Sequence, residues 1–382
     1  GGQWLTFSPR EKETGPLVNP HANYSGDLND AVQLFYRDWT RAYDSNGPKA
    51  GPDFDAASCG ACHIETVSIR SGAPPPRIAR PAVETDRRLY GNQLTTRFLG
   101  RQRPEARISV ETALSLFTYA DGTVRQLRRP VAYAQTRNGE EIPVGLRIAP
   151  LLFGWGLLDA VDHEMLKHFH DPDDKNRDGI SGRLRTRDQG AGGVAPALGW
   201  KASHEDLDEQ IASALSNDIG VNHTPDAIEV TDAELQAIGN FVRSLGVPNR
   251  RSGATERGRD RFGLTGCTSC HITALLTRQD MPIEYSDQLI WPYSDFMLHD
   301  MGPGLADPGD AEDASEWRTA PLWGIGYAEA FLPERGFLHD GRAANIEEAI
   351  LWHGGEAETS VRAFSQLSAS DRALLLSYVR AL

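Results

Sequence analysis

The stretch TDAELQAIGNFVRSL (231–245) carries apolar residues at the spacing of one helical face, and Thr231 stands where an N-cap belongs. SASDRALLLSYVRAL (368–382) repeats the arrangement with Ser370 as N-cap, and both stretches end in aromatic-Val-Arg-x-Leu. Further upstream, DLNDAVQLFYRDWTRAY (27–43) reads as a helix, and GATERGRDRFGLTGC (253–267) takes the same place in the second half. No alternating pattern of any length competes with these helices. The expected fold is mostly α, built from two related domains.

Shorter segments repeat in the same order. RIAPL (147–151) matches RTAPL (318–322), and GWKASHEDLDEQI (199–211) matches GRAANIEEAI (341–350), with Lys201 and Arg342 in one place. Pro and Gly in GVPNRRSG (246–253) follow a finished helix and mark a boundary. The division expected is an N-terminal arm at 1–24, a first domain at 25–248 and a second at 254–382. RIAPL and GWKA are about 50 residues apart, against about 20 for RTAPL and GRAA, which places a loop-rich insertion at about 155–198.

All four cysteines fall in SCGACHI (58–64) and GCTSCHI (266–272). A redox dithiol leaves the histidine after each second cysteine unexplained, and a four-thiolate zinc site leaves both histidines idle. Covalent haem uses every residue: Cys59, Cys62, Cys267 and Cys270 as thioether links, His63 and His271 as axial ligands. Two covalently bound haem c groups are therefore expected, and a helix, a loop with the motif and a closing helix in each half give two cytochrome c-like haem domains. Such attachment takes place outside the cytoplasmic membrane, so the protein is expected to be periplasmic or exported. The chain begins Gly1-Gly2-Gln3 without signal-peptide character and reads as a mature form.

The bulk composition narrows the partners. Apolar residues make up 40% and charged residues 24%, which suits a soluble globular protein. No apolar run reaches the ~18 residues of a membrane span. A formal charge of −14 argues against nucleic acid and leaves room for a basic partner, while plain solubility accounts for it as well. Within the insertion, DPDDKNRDGISGR (171–183) offers Asp174, Asn176 and Asp178 as Ca2+ ligands, but the twelfth loop position is Arg185 where an EF-hand needs glutamate. A turn capped by its own side chains is the competing reading.

Beyond residue 30 the chain resembles the di-haem c-type peroxidase superfamily, in particular its di-haem oxidoreductase branch. The resemblance rests on YSDFMLHDMGPGLAD (293–307), EWRTAPLWGIG (316–326) and FLHDGRAANIEEAILWHGGEA (337–357), with LRIAPLLFGWGLLDAV (146–161) and NDIGVN (217–222). The name thiol oxidoreductase, used for some of that branch, conflicts with the cysteine count, since haem consumes every thiol.

The resemblance implies that the C-terminal haem passes electrons and that peroxide reacts at the N-terminal one. The family's distal methionine follows a segment similar to NIEEAILWH, and the matching position here is His353. This departure implies a His271/His353 haem of lower potential, with Met301 as second candidate and Met297 as core. The family's distal glutamate matches Asp218, with Glu164 and Glu141 as weaker alternatives, and His163, His168 or His170 could cap the first iron. Lys201, Arg318, His339 and Arg342 are expected near haem propionates, and Trp155, Trp323 and Trp352 near the haems as relay or core. The expected reaction is reduction of hydrogen peroxide or a related oxidant, with electrons from a small redox protein, a cytochrome or a cupredoxin. Two other readings stand beside it. One is an enzyme oxidising a protein or small molecule, as a relative does in maturing methylamine dehydrogenase; the other is a plain electron-transfer cytochrome. Relatives are often dimers, which leaves a homodimer open, although nothing in the sequence marks a self-complementary surface.

Overall fold

Thr231 starts its helix as the spacing requires: its side chain accepts from the Glu234 N–H while Glu234 reaches back, a complete capping box. The last helix begins earlier than expected, because Ser368 rather than Ser370 caps it through the Asp371 N–H (3.1 Å). The computed structural model describes residues 6–7, 28–41, 43–44, 47–48, 51, 53–63, 76–82, 86, 88–89, 93–99, 104–185, 198–224, 227–307 and 314–382. The expected N-terminal arm, apart from Thr6–Phe7, lies outside the described residues.

In chain order the helices are α1 (Leu28–Tyr36), α2 (Cys59–Cys62), α3 (Trp155–Asp159), α4 (His163–Leu166), α5 (Leu207–Ala214), α6 (Asp232–Ser244), α7 (Glu256–Leu264), α8 (Ile325–Phe331), α9 (Ile346–Leu351), α10 (Glu358–Gln366) and α11 (Ala369–Arg380). One four-stranded antiparallel sheet joins β1 (Ile78–Pro81), β2 (Ala106–Thr118), β3 (Val124–Thr136) and β4 (Glu141–Arg147) in the order β1-β4-β3-β2. A short ladder pairs β5 (Leu298–Asp300) with β6 (Glu316–Arg318).

The mostly-α expectation is overturned. Helices hold 36% and strands 21% of the described residues, which makes a mixed α/β fold. The missed signal was in β2, where Ile108, Val110, Leu114 and Leu116 alternate with polar or small residues. In β3 the pattern is broken by Gln126, Arg128 and Pro130, so the hairpin does not announce itself as a pair. Its base packs on a small core of Ala79, Leu94, Ala106, Ala132, Ala134, Ile142, Val144 and Leu146. Its tip docks on the C-terminal half: Tyr119 Oη donates to Glu347 (2.8 Å), the Arg128 N–H to Glu348 (2.8 Å), and Arg372 pairs with Asp121 (2.6 Å).

The main core is continuous across both halves, from Leu34 and Phe241 to Phe262 and Leu375. Contacts recur between the halves. Gly154 N–H donates to Leu245 O and Gly324 N–H to Leu382 O, both at 3.0 Å. Asp159 accepts from Leu207 N–H (3.2 Å) and Arg243 Nε (3.0 Å); Glu329 accepts from Ile346 N–H (2.9 Å) and Arg380 Nε (2.5 Å). Phe35 lies 6.3 Å from His63 and Phe262 lies 6.4 Å from His271. The isolated bridges Leu198↔His204 and Phe337↔Ala343 set the register before α5 and α9. In that register Lys201 matches Asp340 and Arg342 matches Ser203, so the expected equivalence of Lys201 with Arg342 is corrected. Two basic residues before an alanine had aligned by composition; the backbone aligns the left-handed Ala202 (φ 50°) with Gly341 (φ 72°).

Gly324 caps α8 at φ 73°, and a Cβ there would lie 2.6 Å from the Phe153 ring. Gly324→Ala combines left-handed strain with overpacking and is expected to cost about 3 kcal/mol, read as a lower urea midpoint at unchanged slope. A variant as stable as the parent would remove this glycine from the argument for close contact between the halves.

Candidate functional site

The second Cys-x-x-Cys-His motif follows α7, with Cys267–Ser269 as a 3-10 turn entered through Gly266 in the left-handed region (φ 82°). His271 Nδ1 lies 2.8 Å from Tyr293 O, and His353 Nδ1 lies 2.8 Å from Ala349 O. A carbonyl only accepts, so Nδ1 donates in both rings and the lone pair resides on Nε2. Both rings line one cavity of about 240 Å³, together with Cys267, Cys270 and Met301. Burial lowers His271 to about 4, with the His353 ring adding to the fall, and burial also lowers His353. Two neutral imidazoles facing one cavity with two thiols is a donor set that fits a haem c with two axial nitrogens. His353 sits where α9 ends, a helix opened by Asn345, whose Oδ1 accepts from Glu348 N–H (2.8 Å). Met297 is fully buried in the core.

Arg318 and His339 also line this cavity, whereas Lys201 and Arg342 do not. The Arg318 guanidinium is 5% exposed and donates to Gly199 O (2.8 Å) and Thr319 O (3.2 Å). No carboxylate among the described residues lies within 4 Å of it, and burial lowers its pKa to about 10. An anionic group at the cavity wall would compensate that charge, which again fits haem, whose propionates are anionic. Lys201 Nζ donates to Ala314 O (3.2 Å) and Glu316 O (2.5 Å) and lies 3.8 Å over the Trp317 ring, on which His339 stacks at 3.7 Å. Arg342 pairs with Asp340 at 2.8 Å. Of the three singled-out tryptophans, Trp155 and Trp323 line the cavity, whereas Trp352 carries Arg342 over its ring at 4.6 Å.

The first motif occupies α2. His63 Nδ1 lies 3.1 Å from Pro150 O, and Pro150 lines the larger cavity as well. One segment, Pro150–Trp155, therefore runs between the two motifs. Asp218 lies beside the first of them. It belongs to a π-helical turn, Leu215–Ile219, that continues α5, and its carbonyl accepts from Asp55 N–H (2.8 Å) and Ala56 N–H (3.0 Å). Gln93 Nε2 donates to the Asp218 carboxylate (2.8 Å) and to Asp55 (2.9 Å). Burial raises the Asp218 pKa to about 6, Asp55 adds to the rise, and Gln93 and His63 oppose it. Counted from the caps Asp206 and Asn345, the residue of the first half that matches His353 is Ala214. The second site has an imidazole at that position; the first has a methyl group.

Other expected residues fall elsewhere. Glu164 and Glu141 are exposed, and Glu164 pairs with Lys167 (2.6 Å). His163 is lowered to about 4 by burial and the charge of Arg278, and its buried Nε2 has no hydrogen-bond partner among the described residues; His168 on Glu164 O (3.0 Å) and His170 on Leu184 N–H (3.0 Å) have their partners in the insertion. Asp174, Asn176 and Asp178 accept from the N–H groups of Asp178 (3.0 and 2.9 Å), Gly179 (3.2 Å) and Ile180 (2.9 Å), which is the self-capped turn.

The thiol alternatives fare poorly. All four cysteines are free, burial raises Cys59 to about 12, and the other three are raised as well, opposite to a reactive dithiol. No three of the four thiols gather among the described residues; one group, Cys270, Asp295 and His299, approaches metal-ligand spacing. His299 Nε2 lies 2.9 Å from Asp295 and Nδ1 lies 2.8 Å from Glu356. Burial opposes its charge, yet these carboxylates raise it to about 12, so both nitrogens hold protons and neither has a lone pair for a metal. Sequence reading missed this clamp although His299 lies in the quoted HDMGPG segment, and it missed Gln93 and Asp55, which no motif marks. His299→Leu leaves Asp295 and Glu356 without their counter-charge and is expected to cost about 3–5 kcal/mol in urea unfolding. A loss near zero would show that the clamp adds no stability.

Fold and site together define a chain with two histidine-bearing thiol motifs on one shared core. Residues 223–382 match the family described as "Di-haem oxidoreductase, putative peroxidase". That stretch holds the second motif, the His299 clamp, Arg318, His339 and His353. A solved structure of hydrazine synthase from Kuenenia stuttgartiensis, pressurised with 20 bar xenon, is similar at 15% identity and a TM-score of 0.37, with 100% of each chain covered. No curated protein sequence matches the chain. Among the described residues no helix is long and apolar enough to cross a membrane.

Proposed function

We propose that the chain is a periplasmic di-haem c-type oxidoreductase that reduces hydrogen peroxide at a haem on Cys59, Cys62 and His63. Electrons would come from a small redox protein by way of a second haem on Cys267, Cys270, His271 and His353. The observation that carries this reading is the inequality of the two sites, His353 in one and Ala214 at the matching position in the other. A site with two imidazoles is closed to an oxidant; a site with one has a place for it.

Haem, when bound, supplies the one-electron chemistry of its iron. The chain's residues supply the rest. Neutral His271 and His353 present Nε2 lone pairs, and Arg318 offsets anionic charge at the cavity wall. Asp218, with a pKa of about 6, is basic enough to take a proton from one peroxide oxygen and acidic enough to return it to the other near neutral pH. Gln93 orients that carboxylate. Trp155 and Trp323 lie along the segment between the motifs, where electrons would cross. The charge of −14 favours a basic donor.

Spectra of the ferric and half-reduced protein, followed by mixing with peroxide, test the proposal. One high-spin and one low-spin haem with rapid peroxide consumption is the expected result. Two low-spin haems that ignore peroxide would leave an electron carrier instead.

A further inference from the structure

A buried trio of charges stands in the wall beside Cys270, and neither haem attachment nor the peroxide chemistry above makes use of it. His299 Nδ1 donates to Glu356 (2.8 Å) and Nε2 to Asp295 (2.9 Å), so the ring is held between two carboxylates. His299 is 3% and Asp295 2% exposed, and Glu356 lines the larger cavity with Cys270. The Cys270 sulfur, an Asp295 oxygen and a His299 nitrogen lie within 4.8 Å of one another, and the Asp295 N–H donates to Cys270 O (3.0 Å). The insertion of the first half covers the trio. Ser181 Oγ donates to Glu356 (2.5 Å), and Arg183 and Leu298 exchange backbone bonds at 2.9 Å. Gly182 packs so closely that a Cβ on it would lie 3.2 Å from His299 Cε1.

Folding alone does not call for charge here. Removing one member of such a trio is costly, but replacing all three by well-packed apolar side chains is neutral or better, because desolvation of ions offsets their attraction. What the trio adds is a net charge. Each ring nitrogen of His299 faces a carboxylate, which only accepts, so both carry hydrogen and the ring is positive. Burial opposes ionisation of Glu356, yet His299 and Ser181 hold its pKa below the ordinary value. One imidazolium and two carboxylates leave one negative charge, poorly screened and fixed beside a thiol of the second motif.

We propose that Asp295, His299 and Glu356 set the reduction potential of the second haem through their summed charge, with His299 as the positioning residue that keeps the sum at one negative charge rather than two. The proposal rests on the reading that Cys270 carries haem. An electron arriving at that site adds a negative charge, so a negative trio lowers the potential, and the imidazolium within it limits the fall. A relay between a protein donor and the first site needs both. Its potential must be low enough to pass electrons on and high enough for the donor to fill it.

Spectroelectrochemical titration of the full haem-loaded chain at pH ~9, well above the carboxylate range, tests this. Glu356→Gln brings the trio to zero charge and is expected to raise the reduction equilibrium constant of the second haem at least about tenfold, or about 59 mV for one electron. His299→Gln leaves two negative charges and should lower the constant by a similar factor. The double variant restores one negative charge and should return close to the parent. Ser181→Ala removes a bond to Glu356 but no charge, and its potential should stay near the parent's. Shifts of one direction in both single variants, a double variant further from the parent than either, or a Ser181→Ala shift as large as that of Glu356→Gln would each overturn the inference. Should His299→Gln fail to fold, Glu356→Gln against Ser181→Ala decides alone. The mass of the peptide holding Cys267 and Cys270 reads haem attachment separately. A bare peptide overturns this inference and the proposed second haem together, whereas attached haem with unmoved potentials overturns the inference only.

Discussion

Replacing His353 by alanine is expected to convert one of the two haems from low to high spin and to leave the other unchanged. His353 is placed for this by three features: a neutral ring, an Nδ1–H donated to Ala349 O at 2.8 Å, and a shared cavity with His271. Met301 lines the same cavity, so the spectrum after substitution decides between them. An unchanged low-spin signal would move the assignment to Met301. His353→Met is the complementary test. Thioether favours reduced iron, so the midpoint potential of that haem should rise by about 0.1 V or more, within the ~0.8 V that axial ligands span. Electron entry from a protein donor should slow in the alanine variant, while direct reaction of the fully reduced protein with peroxide should not.

The second large effect concerns Asp218. Asp218→Asn is expected to slow peroxide reduction by about 10²–10⁴-fold, the usual contribution of a placed acid–base group, with both haem spectra intact. The parent's rate should climb as pH rises through about 6, since the carboxyl keeps its proton below that value and only the carboxylate can act as base. The variant should lack this limb. An undiminished rate, or a limb that survives, would exclude the residue from the chemistry.

Stability should move the other way. The folded carboxyl, raised from 3.8 to about 6, binds its proton more tightly than the unfolded one. Folded stability is therefore full below the unfolded value and declines as pH rises across that window. Above it, Asp218→Asn should be more stable than the parent by about 3 kcal/mol, with no difference near pH ~3.5. A more stable, less active variant is the expected mark of a site that carries a buried charge for function.

These effects show what kind of information was legible in the chain. Both thiol motifs were, because haem attachment requires a local spacing and the full count of cysteines excludes spares. The closing helices were legible for the same reason: the apolar faces of 231–245 and 368–382 are periodic within one element. The hairpin was not, because the alternation of β2 lacks a matching pattern in β3. Its pairing depends on residues such as Tyr119 and Arg128 finding Glu347 and Glu348 far along the chain.

By itself the sequence determined the chemistry available: four thiols, two adjacent histidines, and a duplication that carries His353 in one half. Local rules of spacing and composition suffice for that. Only the tertiary structure decided which residues share surroundings. Lys201 aligns with Asp340 rather than Arg342 because bridges and left-handed turns, not residue type, set the register. Gln93 and Asp55 reach Asp218 from separate segments and, with burial, determine how tightly it holds its proton. Desolvation and long-range contact depend on the packed arrangement of the whole chain, and no stretch of sequence encodes them alone.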